Sequence, residues 1–203
     1  MIGSVLLPQT RRAEHNMGMP RTTEPWTAEM VRALPDDGNR YEVVNGELLV
    51  TPAPSARHQR AVGAIHARLW TCLRGSPVCE VMASPADISF REDHLVQPDV
   101  FVAPLSPSGQ RGQEWSDIRG LLLAVEVLSP STARADRQVK RRLYQEEQVG
   151  QYWIVDLAAR VVERWRPGDD RPEIVADTLS WQPDPSAAPF ELDLPTFFAE
   201  VLA

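Results

Sequence analysis

The apolar positions divide the chain into segments of two periods. Val62, Ile65, Leu69 and Leu73 recur at helical spacing behind Ser55, which predicts an amphipathic helix capped by Ser55, running to about Leu73 and terminated by Gly75. Before it, Thr27 heads a short helix through Leu34 that Pro35 stops. Arg40 to Val44 and Glu47 to Thr51 then flank Asn45-Gly46, the dipeptide suited to the two positive-φ positions of a type I′ hairpin turn. After the long helix, Val78 to Met82, Ala86 to Phe90 and Gln97 to Ala103 read as three short strands rich in β-branched and aromatic residues. A polar loop from Pro104 to Asp117 leads into Leu121 to Leu128, apolar at nearly every position, as expected of a strand covered on both faces in the middle of a sheet. A helix from about Ala133 to Glu147, ending near Gly150, and a strand from Tyr152 to Asp156 complete a strand–helix–strand unit, hence a parallel crossover. Val161 to Trp165 gives a further strand after a turn at Ala158-Ala159. Glu173 to Trp181 gives an edge hairpin within a stretch rich in Pro, Asp and Gly, and Leu194 to Leu202 a short closing helix.

These elements imply an α/β domain with a central mixed sheet flanked by helices and an N-terminal hairpin. Residues 1–22 show no sustained periodicity and read as a flexible tail, leaving 23–203 as a single domain. A length of 203 residues with 43% hydrophobic content supports one well-buried core. The apolar run Ile2 to Leu7 has Arg11 and Arg12 after it, which fits neither a signal peptide nor a membrane span, so a cytoplasmic protein with no membrane partner is expected. Cys72 and Cys79 lack the spacing of a zinc site and read as reduced, packed thiols. The net charge of −7 argues against a protein that coats nucleic acid without selectivity. Positive charge is nevertheless concentrated in two segments, residues 55–74 and residues 131–142, which are either solvated helix faces or a phosphate-facing surface.

Candidate chemistry begins with one residue. Lys140 is the single lysine beside twenty arginines, so it marks a place where a compact, strongly hydrated ammonium is wanted in preference to a guanidinium fork. Glu126 sits inside the apolar run Leu121 to Leu128, where an ionised carboxylate needs a cation or several donors to offset its desolvation. Asp99, preceded by Pro98, opens another apolar strand. Taken singly, each carboxylate is a salt-bridge partner or a strand-end cap. Brought together on neighbouring strands, they form a hard-oxygen pair that suits Mg²⁺ with water in its remaining positions. Asp136, Lys140 and Tyr144 are four apart and share a helical stripe, with Val139 and Leu143 forming an apolar stripe beside it. Asp136 either orients Lys140 or forms a surface pair with it. His58, in the first turn of its helix, either touches phosphate and lines a cleft or is a capping or surface histidine.

Pro98-Asp99, Glu126-Val-Leu, the Asp136, Lys140 and Tyr144 series, and Gly150-Gln-Tyr-Trp-Ile-Val-Asp156 together resemble the Uma-type family of restriction endonucleases, a branch of the PD-(D/E)XK nuclease superfamily. Tyr41-Glu42-Val-Val-Asn-Gly-Glu47-Leu and Ser55-Ala-Arg-His58-Gln resemble that family's opening segments, and the likeness covers roughly residues 25–166. The resemblance implies a restriction-endonuclease-like core. It also implies hydrolysis of DNA with Mg²⁺ or Mn²⁺ held by Asp99 and Glu126, Lys140 positioning water or stabilising the transition state, and Glu42 as an accessory acid. A homodimer is the expected assembly, since two copies related by a twofold axis most simply cut both strands of a duplex. One departure stands out: the superfamily's lysine two residues after the glutamate is here Leu128, and the resemblance to the Uma-type branch implies that Lys140 on the next helix takes its place. The alternatives are a nuclease-like fold that binds nucleic acid or protein without cutting, and an unrelated metal-dependent hydrolase, for which no phosphate-loop glycine motif is present.

Overall fold

A computed structural model describes residues 24–186 and 188–203; the expected tail over residues 1–22 lies outside the described residues. In chain order the elements are α1 (Ala28–Arg32), β1 (Arg40–Val44), β2 (Glu47–Thr51), α2 (Ala56–Leu73), β3 (Cys79–Ala83), β4 (Val100–Pro104) and β5 (Leu123–Val127). A π-helical turn (Ala135–Lys140) then runs into α3 (Arg141–Glu146), followed by β6 (Gln151–Asp156), β7 (Val161–Trp165), β8 (Glu173–Val175), β9 (Thr178–Trp181), β10 (Phe190–Asp193) and α4 (Leu194–Leu202). Strands β3 to β8 form one six-stranded sheet in sequence order, antiparallel except where β5 lies parallel to β6 across the helical crossover.

The sheet separates two cores. On one face Ala61, Ile65, Leu69 and Leu73 of α2 and Phe197, Phe198 and Val201 of α4 cover Val102, Val125 and Val155. On the other, Leu143 and Tyr144 of α3 cover Phe101, Ala124 and Ile154. Every residue of β5 is buried, because alternate side chains enter both cores. The β1–β2 hairpin is a separate ribbon tied to the domain by paired backbone bonds between Val43 and Leu95. Its turn has Asn45 at φ 52° and Gly46 at φ 77°, the positive values that a type I′ turn requires. Thr27 and Ser55 accept the capping bonds from Met30 N–H and His58 N–H.

Several expected features take another form. Ala86 to Phe90 is no strand; Ile88 and Val96 make an isolated two-way bridge, and the flanking Pro85 and Pro98 have no N–H with which to extend it. Glu173 to Trp181 is not a hairpin, since β8 pairs with β7 at the edge of the main sheet while β9 pairs with β10. Gly75 does not terminate α2 through a positive φ, and the residue that leaves α3 with φ 55° is Gln148. Gly150 serves close approach instead: a Cβ there would lie 2.7 Å from the Leu122 carbonyl oxygen, where β6 begins beside β5. The crossover helix is also not uniformly α-helical, because Arg141 N–H bonds to Asp136 O, five residues back.

Candidate active site

The carboxyl end of β5 and the start of β4 meet the first turn of α2 and the π-helical turn around one recess. Its volume is about 200 Å³, and its wall includes Arg40, His58, Asp99, Glu126, Ser129 and Lys140. Continuing the antiparallel β4–β5 register one step past Val100 and Val125 sets Asp99 opposite Glu126. Each reaches its place for a local reason. Asp99 follows Pro98 at the strand's mouth, Glu126 takes the α3-facing phase of β5, and Lys140 ends the π turn that packs over that face.

Asp99 is held by three donors. Arg40 Nη2 lies 3.0 Å from Oδ1, and His58 Nε2 and the Val127 N–H lie 3.1 Å and 2.9 Å from Oδ2. Burial raises its pKa, but the His58 hydrogen bond, the Arg40 charge and the Val127 N–H outweigh it, and the carboxyl titrates below its ordinary range. Lys140 Nζ sits among three carboxylates: Glu42 Oε2 at 2.8 Å, Glu126 Oε1 at 2.9 Å and Asp136 Oδ1 at 3.6 Å. Glu42 is fixed from its other oxygen by the Gln97 N–H, 2.7 Å from Oε1. Tyr144 donates to Glu126 Oε1 over 3.4 Å, and Tyr152 donates to the Asp136 backbone carbonyl.

The partners' protonation behaviour differs in sense. For Lys140, desolvation lowers the pKa, but Glu126, Glu42 and Asp136 outweigh it and hold the ammonium charged well beyond the usual lysine range. Glu126 is driven well above the usual carboxyl range by desolvation, which Lys140 opposes and the neighbouring Asp99, Asp136 and Glu42 reinforce; Asp136 moves up for the same leading reason. Both directions hold together because one ammonium serves three carboxylates and cannot fully compensate any of them.

The expected residues Glu42, Asp99, Glu126 and Lys140 therefore converge, and His58, Asp136 and Tyr144 join them by contact. The pattern along the chain did not single out Arg40. Its signal was available: Arg40 and Glu42 are two apart on β1 and so share a face, which places a cation beside an acid already suspected. Glu47 is exposed on β2, outside the cluster. Asp87 pairs with Arg32 and accepts from Gln97, also outside it. Cys72 and Cys79 are free thiols; Cys79 is packed as expected, but Cys72 is exposed on α2. Among the described residues no helix is long and apolar enough to cross a membrane.

Comparison with known proteins bears on the family and the fold. Residues 28–196 match the Uma2 family model, described as "Putative restriction endonuclease". A crystal structure described as "a putative nuclease belonging to DUF820", from Anabaena variabilis ATCC 29413, superposes with a TM-score of 0.70 at 17% identity, over 87% of this chain and 99% of that one. At that identity the likeness speaks for the fold. No curated protein matches.

Proposed function

The chain belongs to the Uma2 family of restriction-endonuclease-like proteins, and from that footing we propose that it is a Mg²⁺-dependent endonuclease that hydrolyses DNA phosphodiester bonds. One observation carries the reading. Four buried carboxylates, Glu42, Asp99, Glu126 and Asp136, share the site with two permanent cations, Arg40 and Lys140. That is two more carboxyl groups than the two cations can neutralise, in a low-dielectric pocket. Carboxylate oxygens in such excess suit a hard divalent ion, and Asp99 and Glu126, both on the wall of the recess, are the residues that would hold it. The family implies this ion, and the donor set fits it: oxygen ligands, no thiolate, and room for water in the recess. When bound, Mg²⁺ or Mn²⁺ would polarise the phosphate and lower the pKa of a water nucleophile.

The remaining work falls to the chain's own groups. Arg40, His58 and the Val127 N–H fix the Asp99 carboxylate in one orientation. Lys140 holds Glu42 and Glu126 adjacent, 2.8 Å and 2.9 Å from its Nζ, and it sets the local field in which negative charge develops at phosphorus. Asp136 holds Lys140 from the helix side, and Tyr144 fixes a Glu126 oxygen. Two copies about a twofold axis would cut both strands.

A fold that binds without cutting is the competing reading, favoured by the net charge of −7. Nicking of supercoiled plasmid in Mg²⁺ or Mn²⁺ decides between them. The wild type should nick, and Asp99→Ala and Lys140→Ala should each lose roughly a hundred-fold or more in rate. Wild-type nicking no faster than either variant would refute the assignment.

A further inference from the structure

The two permanent cations in the recess are not equivalent. An ammonium has three N–H donors, and Lys140 faces three carboxylates while its side chain is 3% exposed. Two of those donors go to Glu42 and Glu126, and at that burial the ammonium offers a substrate almost no surface. A guanidinium has five N–H donors. Among the described residues Arg40 uses one on Gln97 O through Nη1, at 3.0 Å, and one on Asp99 Oδ1 through Nη2, at 3.0 Å. Three donors remain. The Arg40 side chain is 19% exposed and forms part of the wall of the carboxylate recess. The same planar fork that grips Asp99 thus presents unspent N–H groups to the space in front of the two carboxylates.

We propose that Arg40 is the phosphate-contacting catalytic residue of this site, donating from its guanidinium to a non-bridging oxygen of the scissile phosphodiester, while Lys140 acts as a positioning residue from behind. This rests on the nuclease reading above. Guanidinium geometry matches the two non-bridging phosphate oxygens, and the charge stays fixed at any working pH. The size of the recess agrees. A volume of about 200 Å³ admits a phosphate and water but leaves little room for a base as well, so the contact is with backbone and carries no sequence information.

The test uses a labelled duplex with phosphorothioate linkages, which keep the charge and resist hydrolysis, titrated at several salt concentrations in Mg²⁺, beside plasmid nicking. Arg40→Gln keeps a polar amide but removes the charge, so the slope of log K against log salt should fall by about 0.9, the value of one phosphate contact. Arg40→Lys keeps the charge, so its slope should stay at the wild-type value while nicking falls roughly a hundred-fold for want of the fork. A merely structural Arg40 would leave the Arg40→Gln slope unchanged, and that result overturns the proposal, as does Arg40→Lys nicking at the wild-type rate. Should Arg40→Gln fail to fold, Arg40→Lys with a wild-type melting curve still decides. Failure of the parent reading looks different: the wild type itself then does not nick, whether or not it binds, and both proposals fall together.

Discussion

Replacing Lys140 with methionine keeps most of the length of the side chain and deletes its charge. The ammonium is buried to 3% exposure among Glu42, Glu126 and Asp136, so nothing from solvent can take its place. Breaking a buried ion pair by removing one partner costs about 3–5 kcal/mol. In a domain of this size each kcal/mol moves the melting temperature by about 2–4 °C, which gives a fall of roughly 6–20 °C near neutral pH. The penalty should depend on pH. Glu126 and Asp136 already titrate above their ordinary range in the folded protein, chiefly through desolvation, with Lys140 holding them down. A carboxyl with a raised folded pKa binds more protons folded than unfolded, so stability falls as pH rises from its unfolded value towards its folded one. Without Lys140 both folded values climb and that window widens. The penalty of Lys140→Met should therefore be small near about pH 5, where the carboxyls take up protons, and large near about pH 8. In the wild type, the stabilising contribution of Lys140 is fully present below its unfolded pKa and is lost only as pH rises through the elevated folded value. Urea unfolding at a series of pH values in EDTA, wild type against Lys140→Met, measures the difference. An equal penalty at both ends of the range, or none at the alkaline end, would refute the idea that one ammonium compensates three carboxylates.

Gly150→Ala should destabilise the fold by about 1–3 kcal/mol in thermal unfolding, because its Cβ would meet the Leu122 carbonyl oxygen at 2.7 Å and backbone must move to admit it. Asp156→Ala should cost about 1 kcal/mol at neutral pH through lost bonds from the Ala158 and Ala159 N–H groups and from Arg137. Burial raises the Asp156 pKa, but those donors lower it further, so its contribution is present above the unfolded value and disappears as pH falls through the folded one; a penalty that persists in acid would contradict this.

Features of the fold that depend on a few neighbouring residues were legible in the chain. Thr27 and Ser55 do cap their helices, Asn45-Gly46 does turn the hairpin, and the apolar run around Glu126 does become the covered strand β5, parallel to β6. Features that depend on which distant strand is available were not. Glu173 to Trp181 carries a hairpin's composition, yet each half finds a better-placed edge, β7 for one and β10 for the other. Ala86 to Phe90 has strand residues but no ladder to join between two prolines. Gly150 was legible as a breaker while its true constraint, the Leu122 backbone, lies in another strand.

The site shows the same division. Glu126 and Lys140 stand out because each violates its surroundings, an acid in an apolar strand and a lone lysine among arginines, and such violations point to a partner without naming it. The structure names it as each other, 2.9 Å apart. Arg40 violates nothing, being one arginine of twenty, and only its position across from Asp99 distinguishes it. The π-helical turn was equally hidden, since no residue type marks it. Its bonding five residues back leaves the Asp136 carbonyl accepting from Arg141 and Tyr152, while Asp136 and Lys140 both remain buried over β5. At the end of that widened turn stands Lys140, fourteen residues beyond Glu126 in the chain, its Nζ 2.9 Å from the Glu126 carboxylate.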